Sequence, residues 1–182
     1  APLAIAKGLD HPWGMAFLPD ASVLVTERPG RLRLVNLDSA TIGTPIEGVP
    51  EVAAEGQGGL LGIALDPDFA STRLVFISYA RPVEGGSATA VFRARLSDDK
   101  TRLEDGKVIF TQNTAAATGQ HFGSRLVFDR QGHLFVTTGD RGRLRDKVQD
   151  GSSHIGKILR ITREGAAAPG NPQVAGWAPE VW

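Results

Sequence analysis

The chain has 182 residues, and its 20 Lys and Arg side chains balance its 20 Asp and Glu side chains, so its formal net charge at pH 7 is zero. This balance gives no overall positive field of the kind that suggests nucleic-acid binding, and we expect no nucleic-acid partner. The longest apolar stretch, residues 60–65, is too short to span a bilayer, and the lack of cysteine excludes disulfides and thiolate metal sites.

Three pairs of short apolar runs follow one another along the chain, and turn residues such as Pro, Asp and Gly separate the two runs of each pair. The pairs are residues 13–20 with 23–25, 61–68 with 74–77, and 125–132 with 134–136. Runs of this length are typical of antiparallel strands joined by tight turns. A third strand is predicted at residues 31–35, 91–96 and 157–161, and a fourth at 44–49, 107–111 and 179–182.

The spacing of these units indicates the fold. From Met15 to Ile63 is 48 residues, and from Ile63 to Leu126 is 63. Four-stranded meanders that repeat about every 40–50 residues are the signature of β-propeller blades. We therefore predict an all-β fold of three four-stranded blades, at about residues 10–50, 57–112 and 119–182. A β-sandwich is the alternative, but a sandwich does not repeat one strand-turn-strand pattern three times.

Three blades cannot close a ring, and an open arc exposes strand edges and apolar blade faces. We therefore expect the functional molecule to contain more blades than residues 1–182 supply. Either the chain continues beyond Trp182, which we favour, or a second copy completes the ring.

The hairpins predict a shared functional face. Because the first two strands of each blade are antiparallel, residues before the first strand lie beside residues after the second. This geometry places His121 beside Asp140, Gln57 near Tyr79, and Trp13 near Glu27 and Arg28. The predicted channel face therefore comprises Glu27, Arg28, Gln57, Tyr79, His121, Asp140 and Arg141.

His121 and Asp140 are the predicted catalytic pair of this face. An imidazole accepts a proton at one nitrogen when a carboxylate holds the other nitrogen, which fixes the tautomer and raises the basicity. The alternative is a loop histidine that is hydrogen-bonded near a turn.

Two segments resemble a known family. Residues 56–69, GQGGLLGIALDPDF, are similar to the second-blade motif of the soluble PQQ-dependent glucose and sorbosone dehydrogenases. Residues 121–126, HFGSRL, followed by 137–142, TTGDRG, resemble the catalytic-base segment of that family. The resemblance runs from about residue 8 to 182 and is closest to the bacterial aldose sugar dehydrogenase branch, whose members are periplasmic six-bladed propellers.

The resemblance implies roles for four residues. His121 is the expected general base that takes the proton from the anomeric hydroxyl of the sugar while hydride passes to the quinone, and Asp140 orients it. Gln57 is expected to line the substrate and quinone pocket, and His121 to contact both. Gln120 stands where the glucose branch has a sugar-contacting aspartate, so we expect Gln120 to contact the substrate and the range of aldoses to be broad.

The resemblance also implies the cofactors and partners. We expect PQQ and calcium, with the calcium ligands beyond residue 182 and no metal ligands assigned within the chain. The expected reaction oxidises the C1 hydroxyl of an aldose to a lactone and passes electrons to an external acceptor. We expect a periplasmic or secreted protein that is able to form a homodimer. Residues 1–182 are then an inactive N-terminal half that binds PQQ weakly or not at all.

Two other functions remain open at this stage. The first is a non-catalytic binding module, because animal hedgehog-interacting proteins resemble the same propeller and a fold does not fix a chemistry. The second is a lactonase-like hydrolase, which needs a carboxylate-ringed metal in the channel. The predicted face offers only Glu27 and Asp140 for such a site.

Overall fold

The structure, a computed structural model, describes residues 3–182 and shows eleven strands in that range. The first sheet contains β1 (Pro12–Phe17), β2 (Val23–Glu27), β3 (Arg31–Asn36) and β4 (Thr41–Pro45). The second contains β5 (Leu60–Leu65), β6 (Leu74–Val83), β7 (Gly86–Leu96) and β8 (Leu103–Thr111). The third contains β9 (Gly123–Phe128), β10 (Leu134–Thr138) and β11 (Ile158–Ile161). The helices are α1 (Phe69–Thr72) and a 3-10 turn at Arg145–Lys147.

Each sheet is an antiparallel meander in which neighbours in sequence are neighbours in space. The predicted all-β class and the three-blade organisation are confirmed, and we call the sheets blades 1, 2 and 3 in chain order. The fourth strand expected at residues 179–182 is different. It is reduced to a single antiparallel bridge between Val181 and Leu159, because residues 169–180 form turns and irregular chain instead. None of the helices among residues 3–182 is long and apolar enough to cross a membrane.

The core of the protein lies between blades rather than within one sheet. Leu24 and Leu32 of blade 1 share a buried cluster with Leu60 and Ile77 of blade 2. A second buried cluster joins blade 2 to blade 3, with members that include Phe76, Val91, Leu126, Leu134 and Leu159. Side chains alternate between the two faces of a strand, so a blade in the middle buries both of its faces.

A side-chain hydroxyl fixes blade 1 against blade 2. Thr26, on β2, accepts a hydrogen bond from the backbone N–H of Gly14 at 2.9 Å. Its hydroxyl donates in turn to the carbonyl of Leu61 on β5, at 2.6 Å. One buried hydroxyl therefore pairs a bulge in its own blade with the first strand of the next.

Ser78 repeats this arrangement between blades 2 and 3. Its hydroxyl accepts from the N–H of Gly62 at 2.9 Å and donates to the carbonyl of Ser124 at 2.6 Å. A Cβ on Gly62 would lie only 2.2 Å from that carbonyl oxygen, so glycine permits the close approach of the blades. In blade 3, the Thr137 hydroxyl accepts a hydrogen bond from the N–H of Arg125 at 3.0 Å. This bond within the blade corresponds to those that Thr26 and Ser78 accept in blades 1 and 2.

The outward faces of blades 1 and 3 carry exposed apolar side chains. Met15 and Phe17 of blade 1 are 67% and 61% exposed. Val127, Ile158 and Trp182 of blade 3 are each about half exposed. Faces of this kind are normally covered by another element, because sheets bury their apolar side.

Asp129 gives blade 3 a pH dependence that can be measured. Burial raises its pKa, but bonds from the N–H of His133, from Arg160 and from the N–H of Gln131 outweigh burial and lower the pKa to about 2. The depressed pKa means that Asp129 stabilises the fold above the pKa of its unfolded form, about 3.9, and that this stabilisation disappears as the pH falls toward 2.

We therefore expect Asp129→Asn to remove part of the acid sensitivity of the protein. Urea unfolding at a series of pH values should show that the stability difference between parent and variant shrinks from pH 4 to pH 2. Asp38→Asn, at an exposed turn, is the control. Its free energy of unfolding should change with pH at the same slope as that of the parent. An unchanged slope in Asp129→Asn would contradict the assignment.

Candidate active site

His121 and Asp140 lie at the same end of the first hairpin of blade 3. His121 is two residues before β9, and Asp140 is two residues after β10. The antiparallel pairing brings the two side chains together, with His121 Nδ1 at 2.6 Å from Asp140 Oδ1. The contact predicted from the hairpin geometry is therefore present.

The surroundings of Asp140 keep it ionised. The N–H of Gly142 donates to Oδ1 at 2.9 Å, and this bond, with the one from His121, lowers the pKa of Asp140 below its ordinary value. An ionised carboxylate only accepts hydrogen bonds, so the proton of the neutral imidazole is on Nδ1. Nε2 then carries a free lone pair, on a side chain that is 49% exposed.

Gln57 reaches the same histidine from blade 2. Its side-chain Oε1 accepts a hydrogen bond from the backbone N–H of His121 at 2.9 Å. The backbone N–H of Gln57 donates to the carbonyl of Gly119 at 2.7 Å. The side-chain NH₂ of Gln57 has no acceptor among residues 3–182. Gln57 therefore fixes the loop that carries His121 and keeps donors available for a ligand.

A small cavity of about 130 Å³ opens beside these side chains. We call it the channel cavity, and its lining is Trp13, Gln57, Leu61, His121, Phe122 and Gly123. Trp13 comes from blade 1, Gln57 from blade 2 and His121 from the loop into blade 3. The cavity is thus a meeting point of three blades, which is a common location for a site built on a propeller or barrel.

The backbone of the site is held in unusual conformations. His121 and Arg141 both have positive φ, 50° and 53°, which is uncommon for residues other than glycine. Gly139 lets the chain pass this point, because a Cβ there would lie 1.9 Å from the carbonyl oxygen of His121. Strained backbone of this kind persists where the surroundings hold it in place.

Arg141 supplies that hold. Its guanidinium donates to the carbonyls of Ser87, Thr118 and Gln120 and to the Ser87 hydroxyl, and it lies 3.8 Å from the centre of the Phe122 ring. Its side chain is fully buried, and burial lowers its pKa to about 10, so it stays charged at neutral pH. Its partners are neutral, and it ties β7 to the loop that carries His121.

The structure corrects three members of the predicted channel face, because Glu27, Tyr79 and Arg141 are buried. Arg28 is half-buried, as Asp140 is. Glu27 is enclosed because it pairs with Arg31 and Arg33 and accepts the N–H of Asp10. The antiparallel pairing of the first two strands of each blade predicted correctly where the strands end. Packing between blades, however, decides which side chains stay accessible.

Gln120 is exposed beside His121, outside the lining of the channel cavity. Its Oε1 faces Gly142, where a Cβ would lie 2.7 Å away, and its contact with the substrate stays a prediction. Sequence reasoning missed Trp13 and Phe122 as lining residues and Arg141 as a buried clamp. For Trp13 there was a signal in the alternation of side chains along β1. Trp13 stands beside the bulge that begins at Pro12, and a bulge interrupts this alternation.

Residues 3–182 contain no group of three or more His, Cys, Asp or Glu side chains arranged to hold a metal ion. His154, a further histidine near blade 3, is buried between the N–H of Asn113 and the Glu180 carboxylate. Burial lowers the pKa of His154, which is typical of a structural histidine held by its neighbours.

Comparison with known proteins gives this geometry a context. The sequence profile of the Glucose / Sorbosone dehydrogenase family matches residues 9–182. The chain belongs to this family.

Two relatives, one compared by sequence and one by structure, are similar to the chain over nearly its whole length. Aldose sugar dehydrogenase YliI of Escherichia coli (strain K12) is 43% identical over 178 residues, 96% of this chain and 47% of that protein. A solved structure described as glucose dehydrogenase is 51% identical, with a TM-score of 0.93 over 98% of this chain and 56% of the other.

A third relative was solved with a cofactor. The PQQ-bound form of aldose sugar dehydrogenase (Adh) from Streptomyces coelicolor is 32% identical, with a TM-score of 0.84 over 98% of this chain and 51% of the other. The chain spans about half the length of the curated relatives it matches.

Proposed function

We propose that the whole protein to which this chain belongs is a PQQ-dependent dehydrogenase that oxidises the C1 hydroxyl of aldose sugars to lactones. One observation carries the proposal: His121, with Nδ1 held by Asp140 at 2.6 Å, opens into a cavity where three blades meet. The family membership and the PQQ-bound relative support it.

The described residues fit a planar quinone that carries carboxylates. The channel cavity offers an exposed imidazole, an amide NH₂ on Gln57 and an exposed indole on Trp13. Arg125 adds a guanidinium that has no hydrogen-bond or ion-pair partner among residues 3–182. When bound, PQQ supplies an acceptor for the hydride that leaves the sugar carbon.

His121 then has a defined task. Loss of hydride from C1 builds positive charge on the C–O unit, and this charge is relieved when the hydroxyl proton leaves at the same time. Nε2 of His121 carries the lone pair that takes this proton. Asp140 stabilises the imidazolium that forms. The backbone N–H of His121 donates to Gln57 Oε1, and this bond keeps the ring in place.

Other parts of the proposal concern the whole protein. We include calcium, an external electron acceptor, a periplasmic or secreted location, and further blades that cover the free faces of blades 1 and 3. A homodimer is compatible with these features. Residues 3–182 contain no group of three or more His, Cys, Asp or Glu side chains arranged for a metal ion, and we propose that the calcium ligands lie outside this range.

The test uses the whole protein and follows oxidation of several aldoses with an artificial electron-accepting dye, with and without added PQQ and calcium. We expect lactone formation that depends on PQQ. A whole protein that binds PQQ, shown by equilibrium ultrafiltration, but oxidises no aldose would contradict the proposed reaction.

Asp140→Asn separates the charge of Asp140 from its position. The same oxygen, Oδ1, contacts both His121 Nδ1 and the Gly142 N–H, so the Asn carbonyl can keep both bonds and the tautomer. The negative charge that stabilises the imidazolium is lost. We therefore expect kcat to fall about tenfold, less than on removal of the imidazole, since charge-assisted bonds are about twice as strong as neutral ones.

Asp150→Asn, at a turn near blade 3 that does not line the channel cavity, is the matched control for Asp140→Asn. It should leave kcat near the parent value. An Asp140→Asn enzyme with the kcat of the parent would show that the carboxylate does not act on the base.

A further inference from the structure

Trp13 departs from the internal repeat of the protein. In the first strand of each blade, one backbone N–H donates to a hydroxyl of the second strand; the donors are Gly14, Gly62 and Arg125. The residue just before each donor occupies an equivalent position in the three blades, and these residues are Trp13, Leu61 and Ser124. Leu61 and Ser124 are 1% and 0% exposed, whereas Trp13 is 38% exposed. The largest side chain therefore occupies the one exposed copy of this position.

Arg125 departs from the same repeat one position later. Blades 1 and 2 have glycine there, and blade 3 has arginine. The Arg125 guanidinium lies 5.8 Å from the centre of the Trp13 ring, so the two side chains meet across the inner strand of blade 2. A cation near an indole face is favourable, but this guanidinium has no carboxylate and no hydrogen-bond acceptor among residues 3–182.

Both side chains border the part of the molecule where chemistry is expected. Trp13 lines the channel cavity together with His121 and Gln57. Arg125 is exposed and follows the lining residue Gly123 by two positions on β9. The edge of the cavity therefore combines an accessible aromatic surface with an unneutralised positive charge.

We propose that Trp13 and Arg125 form the binding platform for an aromatic carboxylate ligand, which packs its ring on the indole and places a carboxylate on the guanidinium. Arginine is suited to both tasks, because its planar group binds carboxylates through two bonds and stacks on aromatic rings. A carboxylate gains more from the charge of Arg125 than a neutral sugar hydroxyl does, so we assign the quinone rather than the sugar as the ligand. This inference rests on the proposed function.

Direct binding measurements on the whole protein test the platform without any turnover. Ultrafiltration gives the Kd for PQQ, and quenching of the intrinsic fluorescence of Trp13 provides a second signal. We expect Trp13→Leu to weaken PQQ binding about tenfold and to remove most of the quenching, while Trp13→Phe retains most of the affinity. Arg125→Gln should also weaken binding about tenfold and make it less sensitive to salt.

Two matched variants control for general damage. Trp177→Leu changes an exposed tryptophan that does not line the channel cavity, and Arg130→Gln changes an exposed arginine at the opposite end of β9. Both are expected to bind PQQ as the parent does. Thermal unfolding of all variants identifies any that fail to fold, and for those, Trp13→Phe and Arg125→Lys supply the comparison.

The outcomes distinguish this inference from the proposed function. If the parent binds PQQ and Trp13→Leu and Arg125→Gln bind it equally well, the platform is wrong while the function stands. If these variants raise only the KM for the sugar, the surface holds substrate and the inference is overturned. A parent that binds no PQQ contradicts both the cofactor of the proposed function and this inference.

Discussion

His121→Ala in the whole protein is expected to lower kcat for aldose oxidation by about 10²–10⁴-fold, the usual contribution of a positioned general base. The reason is that no other described side chain of the channel cavity combines an exposed lone pair with an anionic partner. The Kd for PQQ should change much less, because the imidazole acts on the leaving proton. Steady-state kinetics with a dye acceptor, together with ultrafiltration for PQQ, measure the two effects.

The chain contains a matched control for this variant. His133 also pairs with an aspartate, Asp129, through Nδ1 at 3.4 Å, but it stands at the opposite end of the same hairpin. His133→Ala should leave kcat near the parent value. A His121→Ala enzyme that turns over at the parent rate would remove this residue from the mechanism.

Arg141→Met is expected to destabilise the protein strongly. Removal of the guanidinium takes away its bonds to the carbonyls of Ser87, Thr118 and Gln120, although the Ser87 carbonyl keeps the N–H of Ala116. Hydrogen bonds to a charged group contribute about 1.5–3 kcal/mol each, so a loss of about 3 kcal/mol or more in the free energy of unfolding is expected. Urea unfolding measures it.

The control for Arg141→Met is Arg143→Met, an exposed arginine two residues further along. It should change the free energy of unfolding by less than about 0.5 kcal/mol. Arg141→Lys is expected to recover only part of the loss, since one ammonium cannot reproduce the planar fork that serves several carbonyls. Equal stability of Arg141→Met and the parent would show that the clamp contributes nothing.

The repeat of strand pairs was sufficient to predict the blades and the contact of His121 with Asp140. Both follow from local features: alternation along strands, turn residues, and the rule that antiparallel hairpins bring their ends together. The weak fourth strand of blade 3 was not predictable in the same way. A few apolar residues such as Val181 pair only if the preceding turns present them in register.

Burial within the face was the harder part to predict. Glu27 and Arg141 are charged residues at the predicted end of their strands, and charge alone favours exposure. Glu27 is buried because two arginines and an N–H satisfy it, and Arg141 because carbonyls from two segments converge on it. Such convergence depends on how blades pack, which no single segment of sequence encodes.

The hydroxyls between blades give each blade a direction. Thr26 and Ser78 donate from the second strand of one blade to the first strand of the next, never in the reverse sense. An interface of this type is heterologous, since its two sides differ. The Thr137 hydroxyl has accepted its N–H but has no acceptor of its own among residues 3–182. A strand that presents a backbone carbonyl to Thr137, as Leu61 does to Thr26 and Ser124 does to Ser78, would therefore continue the same direction beyond blade 3.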